Sequence, residues 1–393
     1  MTRMVPARVL GAALAAVLAL PAAGGAQSLF STRGLGVPVA PLDARARALG
    51  GVGVGLLGWS GALGNPAAAA GVARRGVVAA VQPSRRSVAF GGQEDDLGGT
   101  RFPLIQAVQP LGDRLVLSVG YGGFLDQSWA VVSEDTVILG GQPLRTRDLI
   151  ESEGGAAQAR LDVAYWVSPS LAVGLGAGVY TGRLERVASR AFPDTNTIEG
   201  YESRAAWNYS GPLIAAGAWW QPVSIARLAA SVTWSGELHA DAEDDASGDL
   251  RVKLPLQVAV GASGHLAPRL LAAVGGRWAG WSSAADALGE PDAAADIWEV
   301  GGGIEWTGSR ALNRPLPLRL GFHYGKLPFR VRGATPSEWA VAFGVGTILA
   351  GDELGPRAAL DATVERGGRG DAATTGLTES FWRFTISLAL FGQ

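Results

Sequence analysis

Residues 114–124 read RLVLSVGYGGF. Leu115, Leu117, Val119 and Tyr121 fall on one side of this run; Ser118, Gly120 and Gly122 fall on the other. A period of two marks a β-strand with unlike faces. The pattern returns along the chain. In RLDVAYWV, Leu161, Val163 and Tyr165 oppose Arg160, Asp162 and Ala164. In LAVGLGAGVYTG, Leu171, Val173, Leu175 and Val179 oppose Gly174, Gly176 and Gly178. RVKLPLQVAVGA sets Val252, Leu254, Leu256, Val258 and Val260 against Arg251, Lys253 and Gln257. FWRFTISLALF sets Trp382, Phe384, Ile386, Leu388 and Leu390 against Arg383, Thr385 and Ser387. These runs reach about 10–15 residues, beyond the roughly 5–6 of an ordinary soluble strand. A tilted transmembrane strand needs about 9–11. Apolar outside and polar inside is the pattern of an outer-membrane barrel, so Arg160, Asp162, Arg251, Lys253 and Arg383 are expected to point inward.

The connections agree. Short turns at residues 110–113, 168–170, 221–225, 266–269, 308–315 and 351–356 alternate with long polar segments. The latter are residues 93–100, 126–153, 184–202, 237–248, 283–295, 329–337 and 367–376. Short turns on one side and long loops on the other give an all-β, transmembrane antiparallel barrel of about 14 strands, an even number as closure requires. Trp166, Trp219 and Trp220 lie beside short turns, and Trp129, Trp207, Trp281 and Trp339 lie towards long loops, which predicts two interfacial girdles.

Composition narrows the function. The 393 residues include 33 basic and 35 acidic side chains, which gives no basic excess for nucleic acid. There is no Cys, so disulfides and thiol chemistry are excluded. Arg3 and Arg8, the apolar run VLGAALAAVLAL and the small residues up to Ala26 read as a cleaved signal peptide over residues 1–26. That predicts export to the cell outer membrane.

Residues 47–72, RALGGVGVGLLGWSGALGNPAAAAGV, carry no charge after Arg47. A membrane helix is disfavoured by their Gly content and by Pro66, since each Gly costs about 1 kcal/mol relative to Ala. Gly53, Gly55 and Gly58 spell GxGxxG, but no acidic residue follows before Glu94 to hold a ribose. The remaining reading is a plug: an irregular Gly-rich segment folded into a lumen, where non-helical backbone at membrane depth is tolerated. The expected organisation is signal peptide 1–26, plug 27–73 and barrel 74–393.

The order GLG (residues 34–36), a Gly-rich run, then Asn65, Pro66 and Ala67 ahead of the first strand resembles the FadL-type family of outer-membrane transporters for long-chain fatty acids and other hydrophobic compounds. LPLQVAVGASGHLAPRLLAAVGGRWAGWSS, WEVGGGIEW, LRLGFHYGKLPF and EWAVAFGVG are similar to its later strands, in order. Residues 126–153 and the terminal FGQ depart from it. The resemblance implies passive, plug-gated transport with lateral exit through the wall. It also implies that Asn65, Pro66 and Ala67 hold the plug's end against the first strand. Phe124, Leu125, Trp129, Leu327, Pro328 and Phe329 become candidate contacts for a hydrophobic small-molecule ligand, with rim packing as their alternative role. Expected partners are outer-membrane lipid and lipopolysaccharide, with the chain a monomer.

Nothing points to an enzyme, a metal or a cofactor. His239, His265 and His323 fall in no metal-ligand motif, and Ser60 in GWSGA misses GxSxG by one residue. His239 near Asp241 is the one candidate pair for a barrel hydrolase, and it reads as a solvated loop. The acidic runs QEDD and DAEDD read as outer loops rather than calcium ligands. The rival function is a structural or secretion-accessory barrel without small-molecule transport.

Overall fold

A computed structural model describes residues 28–194, 198–244, 248–289, 292–311, 314–352 and 355–392. The expected signal peptide lies outside the described residues. Fourteen strands form the wall: β1 (Gly76–Phe90), β2 (Gln93–Leu111), β3 (Leu115–Asp126), β4 (Gln142–Ser168), β5 (Leu171–Ala191), β6 (Tyr201–Val223), β7 (Ala226–Ser235), β8 (Gln257–Ala267), β9 (Leu270–Ala279), β10 (Ile297–Trp306), β11 (Leu318–Lys326), β12 (Ser337–Asp352), β13 (Gly355–Asp371) and β14 (Leu377–Phe391). Each pairs antiparallel with its neighbours, and β1 with β14 closes the ring from Gly76↔Phe391 to Phe90↔Leu377. Closure removes the free edges that lipid cannot satisfy.

The alternation read from the sequence sorts the side chains. Val119, Tyr121, Leu161, Leu175, Trp382 and Phe384 are exposed on the outer wall, while Ser118, Arg160, Asp162, Arg383 and Thr385 are buried inside. Arg251 and Lys253 break this expectation. Both are exposed, and Val252 and Leu254 are buried instead. Leu254, Pro255 and Leu256 lie outside any strand, between Leu250–Lys253 and β8. Pro255 cannot donate to a ladder, and the chain turns over there, so Leu256, Val258 and Val260 face outward.

Other expectations shift too. Residues 93–100 are not a loop: β1 and β2 run on to a two-residue turn at Gly91 and Gly92, φ 61° and 85°. Positive φ at both central residues suits a tight hairpin. Residues 126–153 contain a further strand, Trp129–Leu139, paired with the first half of β4. Trp220 and Trp339 are exposed, but Trp219 and Trp281 are buried and face inward. Outward positions instead hold Trp234, Trp278, Trp298, Trp306 and Trp382.

Residues 28–72 fill the interior. Their one α-helix, α1 (Ala44–Ala48), is capped by Asp43, whose carboxylate accepts from Ala46 N at 2.8 Å, Ser60 Oγ at 2.7 Å and Gly61 N at 2.6 Å. The helix is docked on the wall by Ala44 N to Ser387 Oγ, 3.1 Å, and Thr363 Oγ1 to Ala44 O, 2.6 Å. Directly after it, Gly50 (φ 76°) lies against the backbone of Gly302 and Phe322. A side chain on the facing wall at Gly301 or Gly321 would occupy that backbone's place, which accounts for the glycines in WEVGGGIEW and LRLGFHYGK.

Candidate functional site

Three features of the interior follow one another along residues 28–72. The first is an apolar mouth. At the end of β3, Phe124 packs on Tyr180 (ring centroids 4.4 Å apart) and Trp281 (5.9 Å). Leu35, Leu125, Leu184, Leu213, Leu254 and Ile297 complete the cluster. Its polar atoms are satisfied internally: Tyr180 OH meets Ser235 Oγ at 2.8 Å, and Tyr209 OH donates to Gln127 Oε1 at 2.7 Å. Leu327 and Phe329 belong to a separate cluster with Phe30, Val37, Val331 and Leu377, and buried Pro328 accepts from Ala295 N at 3.0 Å. Trp129 is half-buried on the outer hairpin and joins neither cluster. The six candidate contacts therefore divide among three places.

The second feature is a cation-rich chamber of about 60 Å³ beneath both clusters. Arg47, Arg101, Arg277, Lys326, Arg369 and Arg383 line it together with Glu299, Glu338 and His323. Most of these charges are paired. Glu338 accepts from Arg369 and from Arg383 (3.0 Å), and Glu299 binds Arg277 at 2.8 Å. Behind them, Glu379 holds Ser28 Oγ and Leu29 N at 2.8 Å and Arg86 at 3.4 Å. Arg47 differs. Its Nη2 donates to Ala40 O at 2.8 Å, its Nε has no partner, and no described carboxylate forms an ion pair with it. Taking a cation out of water without a counter-ion is expensive, so an anion in the chamber would be stabilised. Alternation marked Arg383 as inward, but not Glu305, Glu338, Glu365 or Glu379. The same parity test on WEVGGGIEW, EWAVAF, DATVERGGRG and TESFWRF would have found them.

The third feature is the seat of Asn65, Pro66 and Ala67. Asn65 caps the 3₁₀ helix Pro66–Gly71, accepting from Ala67 N at 2.9 Å, with Pro66 in the first turn. Its Nδ2 donates to Ala218 O of β6 at 3.2 Å. A methyl on Gly217 would collide with Asn65 Oδ1, and one on Gly174 with the backbone of Pro66 and Ala67. The box therefore sits on β5 and β6, not on the first strand as expected, where the paired glycines Gly174 and Gly217 admit backbone this close. Trp166 Nε1 donates to Ala70 O at 2.9 Å, and Trp219 packs beside Trp166. Arg227 stacks 3.2 Å from the Trp219 ring centre and donates to Leu56 O at 2.5 Å.

Near the mouth the wall is interrupted between β2 and β3. β2 and β3 pair only from Leu104↔Gly122 to Leu111↔Leu115. Beyond that, the outer half of β2 pairs with β1 alone. A bulge at Phe102 and Pro103 marks the departure, as the register with β1 jumps between Ala80 and Gln82. β3 bends inward and pairs with Val37–Pro38, and the ion pair Arg101–Asp126 spans the two separated strands. Exposed Phe102, Ile105 and Tyr121 place this gap within the apolar belt.

A closed, outwardly apolar barrel with an occupied lumen and an interrupted wall is the architecture of an outer-membrane β-barrel. No protein-family model matches the sequence, and no curated protein matches it. Solved structures do. A Pseudomonas aeruginosa FadL homologue is similar over 91% of this chain and 98% of its own, with TM-score 0.61 and 14% identity. The Pseudomonas putida toluene transporter TodX covers 91% and is itself covered to 99%, with TM-score 0.57 and 14% identity. The CymD monoaromatic hydrocarbon channel gives 91%, 98%, 0.53 and 15%. At such identities the likeness is one of fold, and the fold is FadL-type.

Proposed function

We propose that this protein carries hydrophobic compounds across the outer membrane, with the lumen segment as plug and the β2–β3 gap as lateral exit. The gap is the observation that carries the reading. Unpaired strand edges are not tolerated against lipid unless they line a passage or are covered by protein, and here one edge has been bent away by the Val37–Pro38 contact. A solute entering at the Phe124 mouth would meet the plug, pass the chamber beside Arg101, and leave between β2 and β3 without entering water. The unpaired Arg47 supports a ligand with an anionic head, such as a long-chain fatty acid, over a neutral hydrocarbon. Lipopolysaccharide around the outer loops and a monomeric barrel fit this reading.

The test is rescue of fatty-acid uptake in a Gram-negative host lacking its own transporter. Rescue is expected from the parent. A variant that lengthens the β2–β3 ladder by removing the Phe102 and Pro103 bulge is expected to fold and not to rescue. Equal rescue by both would remove the lateral exit from the mechanism.

A further inference from the structure

We infer that the outer wall carries a binding site for a phospholipid of the periplasmic leaflet, centred on Ala107. This site is separate from the lumen and does not depend on the transport reading. The strand register places Leu390, Val77, Ala107, Val119 and Leu161 in one row across β14, β1, β2, β3 and β4. Val77, Val119 and Leu161 stand out from the wall, each with 45% or more of its surface exposed. Ala107, at the centre of the row, has only a methyl. The result is an open groove of about 650 Å³ between taller apolar neighbours. In a bilayer such a notch is filled by hydrocarbon, since a gap forfeits dispersion contacts on both sides.

Charge at one end selects which hydrocarbon. Arg75 lines the groove where β1 begins, beside Gly392 and the short turn after β2. It is exposed, and no described carboxylate pairs with it, whereas the adjacent Arg74 is held by Asp352 at 2.5 Å. A guanidinium at the water boundary with an apolar slot leading from it matches a phosphodiester head with an attached acyl chain. Gln109, also on the groove, gives one amide proton to Pro110 O at 2.8 Å and keeps the other for headgroup oxygens.

Native mass spectrometry of detergent-purified protein titrated with dioleoylphosphatidylglycerol tests this directly. The parent is expected to retain one phospholipid more than Ala107→Phe, which fills the notch from the lipid side. Arg75→Gln is expected to bind at least fivefold more weakly. Val274→Phe, an exposed site on the far wall, is expected to behave as the parent, and heat-modifiable gel migration confirms that each variant is folded. Equal retention by the parent and Ala107→Phe would reduce the bound molecules to non-specific annular lipid and overturn the proposal. Oleate binding as tightly as the phospholipid, and unaffected by Arg75→Gln, would overturn the phosphate assignment.

Discussion

Single residues decide how the lumen segment, the proposed plug, is held. Asn65 fulfils two roles at once, capping a 3₁₀ turn and tying it to β6. Loss of such a cap costs about 0.5–2 kcal/mol, here borne by plug docking rather than by the barrel. Asn65→Ala with Pro66→Ala is therefore expected to fold normally and to raise ion conductance in planar bilayers; conductance at the parent's level would deny the box a sealing role. Gly217→Val should do the same from the wall side, because its side chain would collide with Asn65. On the proposed reading, Arg47 governs ligand charge rather than sealing. Arg47→Gln is expected to lower hexadecanoate uptake about tenfold, roughly 1.4 kcal/mol, while leaving uptake of a neutral alkane within twofold. A parallel fall in both would mean that Arg47 only supports the plug.

At the scale of elements, the outer ends of β4, β5 and β6 rise well above the short β9 and β10 and are tied together by exposed ion pairs. Arg145 holds Asp194 through two contacts of 2.8 and 2.9 Å. The Arg145 guanidinium holds the Asp194 carboxyl below its usual range. A depressed carboxylate contributes above its unfolded pKa and is lost as pH falls through the folded value. The loop after β5 is thus expected to be resistant to limited proteolysis at neutral pH and to become cleavable in acid, below the ordinary aspartate range near pH 4. Asp194→Asn should be cleavable at both. Elements also explain where the sequence reading slipped. Period-two alternation assumes an unbroken strand, and Leu254, Pro255 and Leu256 break one, so Arg251 and Lys253 were assigned to the wrong face. Polarity alone made residues 93–100 look like a loop, although their hydrogen bonds to β1 are those of a wall strand.

For the whole molecule, barrel and plug contribute differently. The ring is closed by backbone pairing over all fourteen strands, whereas residues 28–72 are held by side chains (Arg45 to Glu305 at 2.9 Å, Ser28 to Glu379, Thr363 to Ala44) and by the short backbone pairing of Val37–Pro38 with β3. Removing residues 27–72 is therefore expected to leave a folded, heat-modifiable barrel that leaks ions. No gain in conductance would reject the plug. Glu305→Gln, which unpairs Arg45 and leaves Arg319 with Asp361 alone, should produce an intermediate leak.

The sequence by itself determined the barrel, its strand number and which way most side chains face. Those follow from a period of two and from turn chemistry, both local properties. It also marked residues 47–72 as neither membrane helix nor nucleotide loop. Only the tertiary structure decided that Asn65 rests on β5 and β6, that Trp166 and Trp219 turn inward to meet the plug, and that Phe124 and Phe329 serve different clusters. Only the fold, likewise, shows Arg47 outside any ion pair among the described residues and β3 parted from β2. Each depends on which strands curl round to face one another across the lumen, and no spacing along the chain records that distance.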